Sequence, residues 1–197
     1  MFAPGIELMK KKIQRVTRQS SVPLLAKLKG IRLFATDVDG VLTDAGMYYS
    51  ESGDELKKFN THDGMGIKLL QKAGLITAFV TQERTKLVAR RAERLAIPEL
   101  HQGVMDKLSV IREMAERHGL LLQQVAYIGD DVNDLEALGA VGFSCSPADG
   151  LPLILAAVDY VCRKKGGEGA VREVVEMILE AQASGRKVRG ERKVVRG

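Results

Sequence analysis

The sequence predicts an α/β fold: a doubly wound, Rossmann-like parallel sheet with helices on both faces, a small β-hairpin flap and no large cap domain. The chain has 197 residues, of which 45% are hydrophobic, and its short apolar runs alternate with longer amphipathic segments. Strand–helix alternation is typical of a parallel sheet that is covered on both faces. Residues 41–60 break this alternation directly after the first strand and have the pattern of a hairpin.

The predicted elements follow in chain order. Five apolar runs are predicted to be strands: Ile31–Thr36, Leu75–Thr81, Gln124–Ile128, Val141–Ser144 and Val158–Val161. Helical patterns lie near residues 64–73, 84–96, 105–118, 131–138, 150–157 and 169–182. The hairpin is predicted to turn near residues 51–54. Because open α/β sheets bind ligands beyond the carboxyl ends of their strands, we expect the hairpin to flank such a site.

Charge divides the chain into three parts. Residues 1–30 carry seven Lys or Arg and one Glu, residues 183–197 carry six and one, and the body 31–182 carries 17 basic and 23 acidic residues. We predict a basic N-terminal extension over 1–30, with a weakly amphipathic helix or a solvated segment at 6–19, one domain over 31–182, and a basic flexible tail over 183–197. An acidic body argues against nucleic-acid binding, which needs a positive patch on the folded face.

The lack of a recognisable targeting pattern and the spacing of the cysteines indicate one cellular compartment. No run of eighteen apolar residues occurs, and the first residues lack the basic-then-apolar order of a secretory signal. Cys145 and Cys162 lie outside metal-ligand and redox spacings and are expected to be reduced, buried thiols. These observations predict a cytoplasmic protein without a membrane span.

Two acidic clusters follow two of the predicted strands. Asp37 and Asp39 end the first strand and share a face, since alternate residues of a strand point the same way. Asp130 and Asp131 follow the third strand. Carboxylates gathered at one sheet edge repel each other without a cation, and a few hard oxygen ligands suit Mg²⁺. Asp131 and the nearby Asp134 could instead cap a helix.

Two further residues complete a pattern for binding phosphate. Thr81 closes the second strand, where it would offer a hydroxyl and a backbone N–H at a helix start. Lys107 would offer a compact ammonium to phosphoryl oxygens. The order Asp37-x-Asp39-Gly40, Thr81, Lys107, Gly129-Asp130-Asp131 resembles the haloacid dehalogenase superfamily of phosphohydrolases.

A narrower resemblance covers residues 31–180. They are similar to the branch that dephosphorylates 3-deoxy-D-manno-octulosonate 8-phosphate (KDO 8-phosphate), a lipopolysaccharide precursor, and its nine-carbon, sialic-acid-like relatives. The similar segments are Lys57–Phe59, Asp63–Ile67, Gln102-Gly103 and Gly166–Glu173. Members of this branch form tetramers in which a neighbour closes the cap-free site. The resemblance therefore implies a homotetramer, with the hairpin and residues 166–169 near the entrance.

The resemblance also implies roles for the acidic residues. Asp37 would attack phosphorus and form an aspartyl-phosphate, and Asp39 would act as general acid and then as general base. Mg²⁺ would be held by Asp37, the Asp39 carbonyl and Asp130. Thr81 and Lys107 would hold the phosphoryl oxygens, and Asp134 would orient Lys107.

The substrate is less clearly indicated than the chemistry. Octulosonate enzymes typically have Thr-Gly-Arg where this chain has Thr81-Gln82-Glu83-Arg84. Eleven residues separate Glu83 from Arg94, which would place both on one helix face. A similar acid–base pair marks the nonulosonate 9-phosphate enzymes, so the sequence slightly favours that substrate over KDO 8-phosphate. Glu83 could alternatively be a first-turn acid that the helix dipole favours.

Three other functions fit the sequence less well. A receiver domain also combines acids, Thr and Lys, but its acidic pair and its phosphorylated Asp occur in the reverse order. A non-catalytic scaffold or binding protein with this fold would usually have lost at least one of Asp37, Asp39, Lys107 and Asp130. Nucleic-acid binding through the basic flanks could coexist with catalysis but has little support in the sequence.

Overall fold

A computed structural model describes residues 23–53 and 55–191 of the chain. Its centre is a six-stranded parallel sheet with the strand order β5-β4-β1-β6-β7-β8. The sheet strands are β1 (Leu33–Thr36), β4 (Ile76–Thr81), β5 (Glu99–Gln102), β6 (Val125–Ile128), β7 (Phe143–Ser146) and β8 (Tyr160–Val161). A separate antiparallel hairpin pairs β2 (Tyr48–Tyr49) with β3 (Glu55–Leu56). The predicted doubly wound fold with a hairpin flap and no large cap is confirmed.

Seven α-helices flank the sheet in the described residues. They are α1 (Leu24–Gly30), α2 (Thr61–Lys72), α3 (Lys86–Leu95), α4 (Lys107–Arg117), α5 (Leu135–Leu138), α6 (Pro152–Leu155) and α7 (Ala170–Glu191). Short 3₁₀ turns at Leu122–Gln124 and Val132–Asp134 precede β6 and α5. None of these helices is both long and apolar enough to cross a bilayer, within the part of the chain that is described.

The alternation of strand side chains builds two cores. Phe34 of β1 packs in the core under α1, α2, α3 and α7, whereas its neighbours Leu33 and Ala35 pack in the opposite core under α4, α5 and α6. Both faces of β1 are therefore buried, which is why Leu33, Phe34 and Ala35 are all apolar. The residues that follow β1 therefore extend from a strand that is paired on both sides and buried on both faces.

Both predicted flanks overlap the folded body. Helix α1 lies within the predicted extension 1–30, yet Leu28 is buried in the core and Lys27 pairs with Asp159 at 2.5 Å. At the other end, α7 continues to Glu191, inside the segment that was assigned to a flexible tail. The predicted amphipathic segment at 6–19 lies outside the described residues.

Strand β5 was missed by the sequence analysis. Its four residues are Glu-Leu-His-Gln, all half-buried, and they pair in parallel with β4 at one edge of the sheet. An edge strand with one partner does not need the continuous apolar run that marks a central strand. The predicted helices at 131–138 and 150–157 are also shorter than expected, since only α5 and α6 are α-helical there.

Candidate active site

The strand order brings the predicted site residues to one edge of the sheet. Strand β1 pairs with β4 on one side and β6 on the other, so the residues that end these three strands are neighbours. These strand ends border a cleft with a volume of about 500 Å³. The lining residues are Asp37, Asp39, Ala45, Thr81, Gln82, Glu83, Asp130, Asp131 and Asn133. The two acidic clusters that are far apart in sequence therefore meet.

Asp37 lies at the centre of this cleft and is 5% exposed. Its Oδ1 accepts a hydrogen bond from the Val38 N–H at 2.7 Å, and its Oδ2 contacts Lys107 Nζ at 2.8 Å. Burial, reinforced by the charge of Asp134 and opposed by Lys107, raises the pKa of Asp37 to about 7. A carboxylate in this environment is poorly solvated, which favours its reaction with an electrophile once it is ionised.

Asp134 is a buried anchor beneath the cleft. Its Oδ1 accepts hydrogen bonds from Lys107 Nζ and the Tyr127 hydroxyl, both at 2.6 Å. Its Oδ2 accepts the backbone N–H groups of Asp130 and Asp131 at 3.0 and 3.2 Å. One fully buried carboxylate therefore positions both the lysine and the second acidic cluster. The predicted contact between Asp134 and Lys107 is present.

The carboxylates fit a small, hard cation. Oxygens of Asp37, Asp130 and Asp134 lie within 4.8 Å of one another. Since Asp134 already accepts four hydrogen bonds, Asp37 and Asp130 are the side chains available to a cation. Asp130 Oδ1 is buried without a hydrogen-bond partner among the described residues. Burial and the charge of Asp37 raise the pKa of Asp130 to about 8, and a divalent cation would relieve both effects.

Close backbone packing shapes this cation site. Gly40 has φ +79°, and a Cβ there would lie 2.0 Å from Asp130 Oδ2. Gly166 packs behind the same turn, because a Cβ on it would lie 2.0 Å from the Gly40 carbonyl oxygen, and Gly167 donates to the Val41 carbonyl at 3.0 Å. Gly166 and Gly167 thus pack against the turn, and none of residues 166–169 is among those that line the cleft, so their position near its entrance stays a prediction.

Lys57 is a functional candidate that the sequence analysis gave no role. It donates to Asp39 Oδ1 and, at 2.5 Å, to Glu83 Oε2, so it links the hairpin to two sides of the cleft. In the sequence it is one of two adjacent lysines, and only the folded hairpin distinguishes it from Lys58, which is 57% exposed and pairs with Asp44.

Two predictions about the β4–α3 loop are wrong. Thr81 lines the cleft but is not at a helix start, since Thr85 caps α3 and four residues follow Thr81 before the helix begins. Its hydroxyl accepts the Glu83 N–H at 3.3 Å. Glu83 precedes the helix, so it shares no helix face with Arg94. Arg94 is exposed at the far end of α3, about 13 Å along the helix axis from Thr85, and does not line the cleft.

Comparison with known proteins agrees with this geometry. Residues 93–174 match the family model of haloacid dehalogenase-like hydrolases. The chain is 40% identical over 171 residues to 3-deoxy-D-manno-octulosonate 8-phosphate phosphatase KdsC of Escherichia coli K12, covering 87% of this chain and 91% of that protein. The Yersinia pestis phosphatase of the same name superposes with a TM-score of 0.80 at 44% identity, covering 81% and 86% of the two chains.

A third relative was solved with ligands. The Moraxella catarrhalis 3-deoxy-D-manno-octulosonate 8-phosphate phosphatase, in complex with magnesium ion, phosphate ion and KDO, has a TM-score of 0.79 and 41% identity. The alignment covers 85% of this chain and 96% of that one. The resemblance inferred from the motifs is confirmed: the chain is a phosphatase of the haloacid dehalogenase-like hydrolases and belongs to the family of the 3-deoxy-D-manno-octulosonate 8-phosphate phosphatases.

Proposed function

We propose that this phosphatase hydrolyses the phosphate monoester of an eight- or nine-carbon 3-deoxy-2-keto sugar acid with Mg²⁺, through an aspartyl-phosphate on Asp37. The observation that carries the proposal is the meeting of Asp37 and Asp130 in one cleft, with the buried Lys107 paired to Asp37 at 2.8 Å. KDO 8-phosphate is the first candidate substrate, because the relatives named above act on it. An enzyme acting on either candidate would belong to lipopolysaccharide or sialic acid metabolism.

Asp37 is the proposed nucleophile. One of its oxygens bonds to phosphorus as the ester oxygen departs, and water later cleaves the acyl phosphate, which divides one slow hydrolysis into two faster steps. The Val38 N–H holds Oδ1 of Asp37, and Lys107 neutralises charge as the carboxylate approaches an anion. Held by Asp37, Asp130 and the Asp39 backbone carbonyl, Mg²⁺ would supply further neutralisation of the phosphate charge.

Asp39 is the proposed general acid and base. It lies two residues after the nucleophile on the same side of the cleft. In the first step its carboxyl protonates the departing sugar oxygen, and in the second the resulting carboxylate accepts a proton from water. Thr81 lies buried beside Asp37 at the end of β4, where its hydroxyl can donate to a transferring phosphoryl oxygen.

A nonulosonate 9-phosphate is the second candidate substrate. Glu83 favours it, since this residue stands where octulosonate enzymes typically carry part of Thr-Gly-Arg, and its carboxylate lines the cleft. A carboxylate there can accept hydrogen bonds from sugar hydroxyls or hold a cationic partner.

A phosphate-release screen tests the substrate. We expect Mg²⁺-dependent turnover of KDO 8-phosphate and of nonulosonate 9-phosphates at least about 10-fold more efficient than that of hexose phosphates or nucleotides. The matched variant Glu83→Gln should change the ratio between the two keto acids while it leaves the preference over nucleotides intact. A clear preference for a nucleotide would contradict the substrate assignment, and no Mg²⁺-dependent release from any ester would contradict the proposed chemistry.

We also propose a homotetramer in which a neighbouring chain closes the cleft. The hairpin supports it, because Met47, Tyr48, Tyr49 and Leu56 are between 44% and 66% exposed on one small flap beside the site. Clustered exposed apolar side chains mark interaction surfaces. Sedimentation velocity should give four times the chain mass, and Tyr49→Glu should yield smaller species with lower turnover. A monomer that is fully active at assay concentration would contradict the tetramer.

The proposed compartment is the cytoplasm. Cys145 and Cys162 are both free and buried, as expected in a reducing environment. The candidate substrates are small molecules, and the acidic balance of residues 31–182 argues against nucleic acid as a partner.

A further inference from the structure

Lys57 turns inward from an otherwise exposed hairpin. Its side chain is 4% exposed, whereas the nearby Tyr49 and Leu56 are 66% and 63% exposed. Lysine is almost never this buried unless it is paired. Both of its partners, Asp39 and Glu83, line the catalytic cleft. These contacts attach the hairpin to the cleft at Asp39, the residue that is proposed to transfer the proton.

The two carboxyl oxygens of Asp39 have different surroundings. Oδ1 accepts a hydrogen bond from Lys57, whereas Oδ2 is shielded from solvent and has no hydrogen-bond partner in the described part of the chain. A group that transfers a proton must meet the reacting oxygen at a defined distance and angle. Fixing one oxygen restrains the carboxyl plane and leaves the other oxygen to react.

We propose that Lys57 is a positioning residue that holds Oδ1 of Asp39 and thereby aims Oδ2 at the oxygen of the departing alcohol. Glu83 holds the Lys57 ammonium from the other side. The inference rests on the proposed role of Asp39 as general acid. In that step the Oδ2–H bond of Asp39 breaks, and an O–H bond forms on the leaving oxygen as its P–O bond breaks. The carboxylate keeps the electron pair, and Lys57 keeps its three protons.

Two small aryl esters separate positioning from a structural effect. Phenolate is a basic leaving group that gains from protonation, whereas 4-nitrophenolate leaves readily without a proton, and neither ester carries the sugar's carboxylate or hydroxyls. We expect Lys57→Met to lower kcat for phenyl phosphate about 10- to 100-fold more than kcat for 4-nitrophenyl phosphate, within the range that general acid catalysis supplies. Lys57→Arg should restore part of the loss, and Glu83→Gln should shift the ratio in the same direction by less.

Lys58→Met is the matched control, because Lys58 is the next residue, is 57% exposed and pairs with Asp44. It should leave the ratio of the two esters unchanged, and Asp39→Asn should show the largest shift. Equal losses on both esters in folded Lys57→Met would overturn the proposal. If circular dichroism shows that Lys57→Met does not fold, an unchanged ratio in Glu83→Gln overturns it instead.

Failure of the underlying function has a different signature. If the wild-type protein releases no phosphate from either ester with Mg²⁺, the proposed chemistry is wrong, and this inference falls with it. If the wild-type protein is active but Asp39→Asn leaves the ratio unchanged, Asp39 is not the acid and Lys57 does not position one. A shifted ratio in both Asp39→Asn and Lys57→Met supports the positioning role.

Discussion

Asp37→Asn should abolish turnover, with kcat at least about 10³-fold below that of the wild type, because an amide cannot form the acyl phosphate. Asparagine has nearly the same shape and can still accept the Val38 N–H hydrogen bond, so the fold should persist. The measurement is phosphate release under single-turnover conditions, together with calorimetry of inorganic phosphate binding in the presence of Mg²⁺. Binding should survive while release is lost.

Glu113→Gln is a suitable control for this variant. Glu113 is an exposed carboxylate on α4 that does not line the cleft, so the same carboxylate-to-amide change should leave kcat within about twofold. Residual Asp37→Asn activity within tenfold of the wild type would remove Asp37 as the nucleophile. A burst of acyl phosphate in the wild type, absent from the variant, would identify the intermediate directly.

Asp134→Ala should cause the largest loss of stability, about 3–5 kcal/mol in the free energy of unfolding, because it breaks a buried charge pair from one side. Four donors would lose their acceptor, among them the ammonium of Lys107 and the hydroxyl of Tyr127. Urea unfolding measures the effect. Activity should fall as well in the fraction that remains folded, since Lys107 and Asp130 lose the group that positions them.

Asp106→Ala provides the comparison. Asp106 is an exposed acid that caps the N-terminus of α4 through the Ser109 N–H at 2.9 Å, one residue before Lys107. Loss of an N-cap costs about 1 kcal/mol. A loss in Asp134→Ala no greater than in Asp106→Ala would mean that the buried network contributes little, and the account of Asp134 as an anchor would fail.

The sequence predicted which acidic residues meet better than it predicted their surroundings. The meeting of Asp37, Asp39 and Asp130 could be predicted because each follows an apolar strand, and parallel strands end at one edge of the sheet. The contacts of Lys57 with the cleft could not be predicted from the sequence, since the burial of this lysine depends on how the hairpin folds back. The predicted pairing of Arg94 with Glu83 is wrong because α3 begins at Lys86, two residues after the predicted start at Arg84. Glu83 therefore lies outside the helix.

The edges of the fold were hard to predict for a related reason. Helix α1 sits in a basic segment, and its attachment rests on the burial of Leu28 and on the pairing of Lys27 with Asp159, 132 positions away. Contacts of that separation leave no local pattern in the sequence. Strand β5 is likewise made of polar, half-buried residues that are strand only because β4 lies beside them.

The glycine packing behind the catalytic turn has an evolutionary consequence. At Gly40, Gly166 and Gly167, backbone or carboxylate atoms occupy the space that any side chain would need. A substitution there would force those atoms to move. The hairpin and the loop after β4 instead carry side chains that are exposed or line the cleft, among them Leu56 and Glu83. We therefore expect substitutions in the hairpin and in the loop after β4 to be tolerated better than a side chain at any of these three glycines, which would displace the turn or Asp130.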